Sequence, residues 1–151
     1  MPQSLAKILL HTIFSTKNRR PFLRDVAVRT NMHSYLGGIL NKLDCQPLIV
    51  GGTDDHVHGL HSLPRTCTVA EVVKEVQRGS SLWVKETYPN MAEFAWQSGY
   101  GVFSIGFSQV DAVRNYIGRQ EEHHKRFSFQ DELRRFLERY QIAYDERYVW
   151  D

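Results

Sequence analysis

His56 and His58, separated by one residue, are the residues whose types and spacing most clearly suggest chemistry. On a β-strand, alternate side chains share a face, so both imidazoles would point the same way. Such a pair can bind a cation or a phosphate, and Asp55 just before it could orient a ring N–H group. The alternative is two strand histidines that bind nothing, and the spacing alone leaves both readings open. His61 has the opposite parity to His58, so we do not include it as a ligand.

Tyr116 and Gln120 form a second candidate pair. They are four residues apart in a predicted helix, which makes them neighbours on one helix face. A tyrosine hydroxyl is a capable nucleophile once its proton is removed or a cation is near its oxygen. An amide oxygen at Gln120 could bind the same cation. Taken alone, Tyr116 could equally be a packing residue, as helical tyrosines often are.

Two groups of basic residues are candidates for binding phosphate. One lies in a loop, and the other occupies one face of a predicted helix: Lys17, Arg19 and Arg20, then Lys74 and Arg78. A solvated loop and a solvent-facing helix explain the same residues. The 151 residues carry a net charge of +2, which excludes a strongly basic protein that coats nucleic acid through its whole surface. Residues 1–43, however, hold seven basic residues and one acid, a local excess that suits a DNA-binding surface.

The elements that must position these residues follow from periodicity and turn signals. Strands are predicted over 8–14, 47–50, 55–63 and 94–105, the last as a strand or bent hairpin, with a turn at 51–54. Helices are predicted over 24–43, over 69–86 after a capping box begun by Thr68, from 108 past Gln120, and over 129–140 after Ser128. The aromatic tail from 142 to 151 is expected to pack on the body.

This order predicts an α+β fold: a ferredoxin-like, RRM-like βαββαβ antiparallel sheet, with helices on one face plus a C-terminal helix. Right-handed crossovers place the first and third strands at the centre. Residues 1–151 are expected to form a single domain. No apolar run reaches the roughly 20 residues of a membrane span, and no secretory signal is evident, so we expect a cytoplasmic protein without membrane contact.

Five segments, taken together in order, resemble the single-tyrosine HUH transposases of the insertion-sequence 200/605 family. They are HTIFSTKNRRPFL, GGTDDHVHGLHSLP, QRGSSLWVKE, FAWQSGYGVFSIGFSQVDAVRNYIGRQEEHHK and IAYDERYVW. His56-Val57-His58 stands at the family's His-hydrophobic-His motif. Tyr116 stands at its catalytic tyrosine and Gln120 at its third metal ligand.

The resemblance implies a metal-dependent single-strand DNA endonuclease and strand transferase. His56, His58 and Gln120 would bind Mg²⁺ or Mn²⁺, and Tyr116 would attack the scissile phosphate to form a 5′-phosphotyrosine link. Single-stranded DNA hairpins at the element's ends would be bound by the two groups of basic residues, and the protein would be a homodimer with composite sites. The competing hypotheses are a domesticated HUH nuclease that acts on repeat hairpins, and a non-catalytic nucleic-acid-binding module on the same fold.

Overall fold

A four-stranded antiparallel sheet forms the centre of the computed structural model, which describes residues 3–150. The strands are β1 (Leu9–Ser15), β2 (Pro47–Gly52), β3 (His56–Ser62) and β4 (Gly101–Ile105). Their order is β2-β3-β1-β4, and each neighbouring pair is antiparallel. The predicted fold class is confirmed, with β1 and β3 in the central positions.

Five α-helices accompany the sheet: α1 (Val26–Lys42), α2 (Val69–Thr87), α3 (Val110–Gly118), α4 (Gln120–His123) and α5 (Phe129–Arg139). Local side chains satisfy the free N–H groups at three of their starts. Asp25 accepts hydrogen bonds from the first turn of α1, and the Thr68 hydroxyl accepts from the Glu71 N–H in the predicted capping box. Ser128 caps α5, as its position in the sequence suggested.

The first face of the sheet packs on α1 and α2 and forms the main core. Val57 points to this face because its parity in β3 is opposite to that of the histidine pair, and Phe14 does so because it is the partner of Val57 in β1. Met32 and Leu36 of α1 and Val76 of α2 meet them, and all of these side chains are buried. This packed layer restrains β3 on one face, so the side chains on the opposite face of the strand are held on a rigid support.

The second face, which carries the histidine pair, is covered by α3 and α5. The prediction of helices on one face plus a C-terminal helix was therefore wrong for α3, whose apolar residues pack on this second face. Leu60 of β3 packs with Ile117 of α3, and Ile13 of β1 packs with Leu133 of α5. The aromatic tail contributes Tyr144 and Trp150 to this layer, as expected. In the part of the chain that the structure describes, no helix has the length and apolar character needed to cross a membrane.

Three predicted boundaries were wrong. Gly51 and Gly52 belong to β2 rather than to the following turn, since both pair with β3. The strand predicted over 94–105 is formed only at Gly101–Ile105, because residues 94–100 follow an irregular path with a single bridge from Trp96 to Thr16. The helix predicted to run past Gln120 ends at Gly118, and α4 starts separately at Gln120.

Gly51 allows α3 to approach the sheet closely. A Cβ atom at this position would lie 2.8 Å from the Ile117 carbonyl oxygen and 2.9 Å from the Ile117 Cγ2 atom. We therefore expect Gly51→Ala to lower the free energy of unfolding by about 1–3 kcal/mol, because a packed backbone must move. Urea denaturation measures this difference.

Gly38→Ala is the matched control for this experiment. Nothing lies within 4 Å of its Cβ position in α1, so the stability should stay the same or rise by up to about 1 kcal/mol. Equal stability of the Gly51→Ala variant and the wild type would contradict the close packing of α3 on β2.

Candidate active site

The histidine pair lies on one face of β3, as the alternation of strand side chains predicts. His56 and His58 are completely buried beneath α3, α4 and α5. His61 points to the opposite face, where its Nε2 atom lies 2.8 Å from the Thr12 hydroxyl oxygen. The exclusion of His61 from the site agrees with this placement.

Each histidine of the pair is oriented through its Nδ1 atom. His56 Nδ1 lies 2.7 Å from Asp55 Oδ1 and 3.0 Å from the Thr53 hydroxyl. His58 Nδ1 lies 2.7 Å from Nε2 of His11, a buried residue of β1. The Asp55 contact has the orienting role that its sequence position suggested. The sequence does not single out His11, because its contact depends on how β1 and β3 are paired.

The Nε2 atoms of the pair therefore face the interior of the site, where Tyr116 and Gln120 meet them. Gln120 Oε1 lies 3.0 Å from His56 Nε2, and the Gln120 side chain is buried. The Tyr116 ring centroid is 6.0 Å from that of His58, and the ring stacks on His123 at 4.6 Å. One chain thus brings together the four residues predicted for catalysis and metal binding, although Tyr116 and Gln120 lie on two helices rather than one.

Glu132 of α5 is a site residue that the sequence motifs did not reveal. Its Oε1 atom lies 2.9 Å from His58 Nε2, and its Oε2 atom accepts a hydrogen bond of 3.1 Å from the Gln120 amide. The Tyr116 hydroxyl donates to the same Oε2 atom. His124 Nε2 also lies 3.2 Å from this oxygen.

A signal for the burial of Glu132 exists in the sequence. Glu132 is three residues after Phe129 and four before Phe136, which places it on the apolar stripe of α5. A carboxylate on a buried stripe needs partners, and the site supplies them. Because glutamate is charged, a solvent-facing position was expected for Glu132. The helical pattern alone therefore did not identify Glu132 as a site residue.

The electrostatics of the site follow from these contacts. Both ring nitrogens of His56 face oxygen atoms, so both carry protons. Burial opposes this charge, but the Asp55 and Glu132 carboxylates raise the pKa of His56 to about 9. Burial would raise the pKa of Glu132, yet His58, His124 and His56 hold it well below its usual range. Burial and the Glu132 charge raise the pKa of Tyr116, so its hydroxyl is protonated at neutral pH.

The donor set fits a divalent cation. Ligand atoms of His56, His58, His124 and Glu132 all lie within 4.8 Å of one another, and Gln120 Oε1 adjoins them. Imidazole nitrogen suits Zn²⁺, Cu²⁺, Ni²⁺ and iron, whereas carboxylate and amide oxygen suit Mg²⁺ and Mn²⁺, so this mixed donor set does not by itself select one metal. A cation bound to the histidine Nε2 atoms would have to replace the protons that lie there now.

The loop that carries Lys17, Arg19 and Arg20 follows β1 directly, at the end of the sheet where Ser15 pairs with His56. Lys17 is exposed, and Arg20 pairs with Glu93 at 3.2 Å. The Arg19 guanidinium faces the side chain of Gln130 at the start of α5. The loop thus lies beside the site, next to the helix that carries Glu132.

Lys74 and Arg78 are exposed on one face of α2. They line a groove of about 460 Å³ together with Ser81, Lys85 and Tyr100. The Ala95 carbonyl on the same groove wall accepts a hydrogen bond of 2.8 Å from the Lys17 N–H. The two basic groups of the sequence therefore adjoin one irregular segment, residues 94–100.

The ferredoxin-like sheet carries a buried histidine pair on one face, and Tyr116 of α3 lies beside that pair. This combination of fold and site, together with the family comparison, defines the class of the protein. The family model described as IS200-like transposase matches residues 4–120, which include His56, His58, Tyr116 and Gln120. The chain therefore belongs to the IS200-like transposase family, and it is a transposase. This confirms the family that the sequence motifs indicated.

Two solved structures share the fold. One is a candidate transposase from Deinococcus radiodurans R1, with a TM-score of 0.61 and 20% identity over 78% of this chain and 93% of that chain. The other is a REP-associated tyrosine transposase bound to a REP hairpin, with a TM-score of 0.59 and 13% identity over 81% of this chain and 72% of that chain. The comparison with curated proteins finds no match.

The protonation of His56 leads to a prediction about cation binding. Because His56 keeps both ring protons below about pH 9, Mn²⁺ binding at pH 7 should release about one proton. The affinity should rise as the pH is raised from 6.5 towards 9, and the proton release should vanish above pH 9. Isothermal titration calorimetry in buffers of different ionisation enthalpy measures both quantities. Binding that is independent of pH and buffer would contradict the assignment of His56 as a ligand.

Proposed function

We propose that this transposase nicks and rejoins single-stranded DNA at hairpins through a 5′-phosphotyrosine intermediate formed on Tyr116. The observation that supports this most strongly is the meeting of Tyr116 with His56, His58 and Gln120 inside one chain. A non-catalytic module on the same fold would bind DNA without forming this intermediate, so trapping the intermediate separates the two functions.

Tyr116 is the nucleophile in this proposal. Its oxygen forms a bond to the scissile phosphorus as the bond from phosphorus to the 3′-oxygen breaks. Tyr116 gives up its proton, and the departing oxygen gains one to leave a free 3′-hydroxyl. The phosphotyrosine link keeps the energy of the phosphodiester, so attack by another 3′-hydroxyl rejoins strands without ATP. The hydrogen bond to Glu132 orients the tyrosine oxygen towards the histidine pair.

His56, His58 and Gln120 would bind Mg²⁺ or Mn²⁺ in this proposal, with Glu132 and His124 as further donors within reach. When bound, the cation supplies Lewis-acid stabilisation of the charge that develops on the phosphate. The chain's own contribution is rigidity. Asp55 and His11 fix the two imidazole rings through Nδ1, and burial excludes water from the Nε2 atoms.

The basic residues are proposed as the surface that binds the DNA hairpin. Lys74 and Arg78 line an open groove, and the loop with Lys17, Arg19 and Arg20 adjoins the same irregular segment. The REP-associated transposase of similar fold is bound to a hairpin, which supports a hairpin ligand here. Positive side chains along a groove would bind backbone phosphates, and unpaired bases would supply recognition.

The homodimer with composite sites, implied by the family resemblance, stays a prediction. In the described chain Tyr116 lies beside its own histidines, so a composite site would require α3 to move from its position on β2.

The nucleophile is tested by trapping the covalent intermediate. The wild type, mixed with Mn²⁺ and single-stranded DNA from the regions that flank its gene, should give an adduct that survives denaturing electrophoresis. Tyr116→Phe should abolish it. His58→Ala should lower its rate of formation by about 10²-fold or more, because the site loses a group that stabilises transition-state charge.

Tyr148→Phe is the control for the removal of a hydroxyl, since Tyr148 is an exposed residue of the tail. It should form the adduct at the wild-type rate. An adduct that persists in Tyr116→Phe would reject the assignment of the nucleophile. Hairpin binding without any adduct in the wild type would favour the non-catalytic binding module.

The hairpin surface is tested by charge removal. The double variant Lys74→Gln and Arg78→Gln should bind the hairpin more weakly, and the slope of log affinity against log salt should fall by about 1 for each side chain that neutralises a phosphate in the wild type. Lys42→Gln removes one charge outside the groove and should keep the wild-type slope. Fluorescence anisotropy at several salt concentrations gives these slopes. An unchanged slope in the double variant would place the DNA elsewhere.

A further inference from the structure

We propose that Arg135 and Arg139 of α5 bind backbone phosphates of the unpaired DNA strand beside Tyr116, and so hold the strand against the nucleophile. This inference rests on the proposed function, because it concerns the substrate of the same site. It assigns a substrate-binding role to α5, which lies beyond residues 4–120 that the family model matches.

The first observation is a cavity next to the nucleophile. Tyr116, Arg135 and Arg139 line a space of about 260 Å³, with Phe127 and Phe136 on its walls. Arg135 and Arg139 are four residues apart in α5, so both guanidinium groups lie on one helix face. Both residues are exposed, so a strand in solvent can reach them.

The second observation is a continuation of this space on the other side of Tyr116. A cavity of about 210 Å³ is lined by Gln109, Ala112 and Val113 from the start of α3 and from the turn before it. It shares Tyr116, Phe136 and Arg139 with the first cavity. A strand that passed from one cavity to the other would cross the tyrosine, with Arg139 adjoining both parts.

The third observation is the difference in ion pairing between the two sides of α5. Arg134, on the other side, donates to Glu146 at 2.8 Å and to Asp131 at 3.0 Å. Arg135 and Arg139 have no carboxylate oxygen within 4.0 Å among residues 3–150. The arginines without an acidic partner are therefore the ones that face Tyr116.

The chemistry of these groups suits a nucleotide strand. A planar guanidinium donates two parallel N–H bonds to a phosphate, and such bonds are stronger than neutral ones. Arg135 lies over the Phe127 ring at 4.0 Å, which holds the guanidinium on an aromatic face. Aromatic walls accept stacked bases of any sequence. The two positive charges also offset the Glu132 carboxylate, which would otherwise repel a phosphate near Tyr116.

The test measures binding apart from chemistry, in the Tyr116→Phe background. The probe is a fluorescein-labelled pool of random-sequence, 30-nucleotide single strands. Arg135→Gln and Arg139→Gln should each weaken binding about three- to tenfold at 0.1 M salt. Each should also lower the slope of log affinity against log salt by about 0.7, the value for one neutralised phosphate on a single strand.

Arg134→Gln is the matched control, because it removes a neighbouring arginine that is already paired with acids. It should keep the slope of the Tyr116→Phe protein that carries all three arginines. Arg135→Lys keeps the positive charge and should restore most of the slope, which a purely structural role of Arg135 would not predict. Thermal unfolding of every variant identifies any that fail to fold, and a Gln variant that fails is replaced by the Met variant at the same position, which also removes the charge.

Equal slopes in Arg134→Gln, Arg135→Gln and Arg139→Gln would overturn the proposal, as would failure of the Tyr116→Phe protein to bind the pool. The adduct assay on the same arginine variants, with Tyr116 present, separates this result from the function itself. Normal adduct formation with unchanged slopes rejects the arginines and keeps the transposase chemistry. Arginine-dependent binding without any adduct keeps the strand contact and rejects Tyr116 as nucleophile.

Discussion

The buried Glu132 carboxylate is the interaction on which the arrangement of the site depends. A charged group taken out of water is stable only where hydrogen bonds and opposite charges replace the water. Glu132 finds them in His58, Gln120 and the Tyr116 hydroxyl, which come from three different elements. Its burial therefore joins β3, α3, α4 and α5, and it sets the distance between the nucleophile and the histidine pair.

The sheet makes this arrangement possible by fixing the histidines from both sides. The core beneath β3 holds Val57, and the pairing of β1 with β3 places His11 against the Nδ1 atom of His58. Asp55 does the same for His56. The Nε2 atoms are left pointing at Glu132 and Gln120, so the atoms suited to bind a cation are also those that hold protons in its absence.

Much of this could be predicted from the sequence, because some patterns carry their geometry with them. The period of two in a strand placed His56 and His58 together and His61 apart, and the capping residues marked the starts of α2 and α5. The proximity of Tyr116 and Gln120 was predicted from a single continuous helix. In the structure α3 ends at Gly118, and the two side chains converge through tertiary packing. His11 and Glu132 depend on strand register and on the docking of α5, which no local pattern encodes.

We propose that His56, His58 and Gln120 bind a divalent cation beside Tyr116. The most direct test of this proposal is anomalous diffraction from crystals of the protein soaked with Mn²⁺, measured at the manganese absorption edge. We predict one strong peak within bonding distance of the Nε2 atoms of both histidines and of Gln120 Oε1, with the Tyr116 hydroxyl facing it. A peak that lies away from the two histidine Nε2 atoms, or no peak at a saturating concentration of Mn²⁺, would contradict this metal assignment.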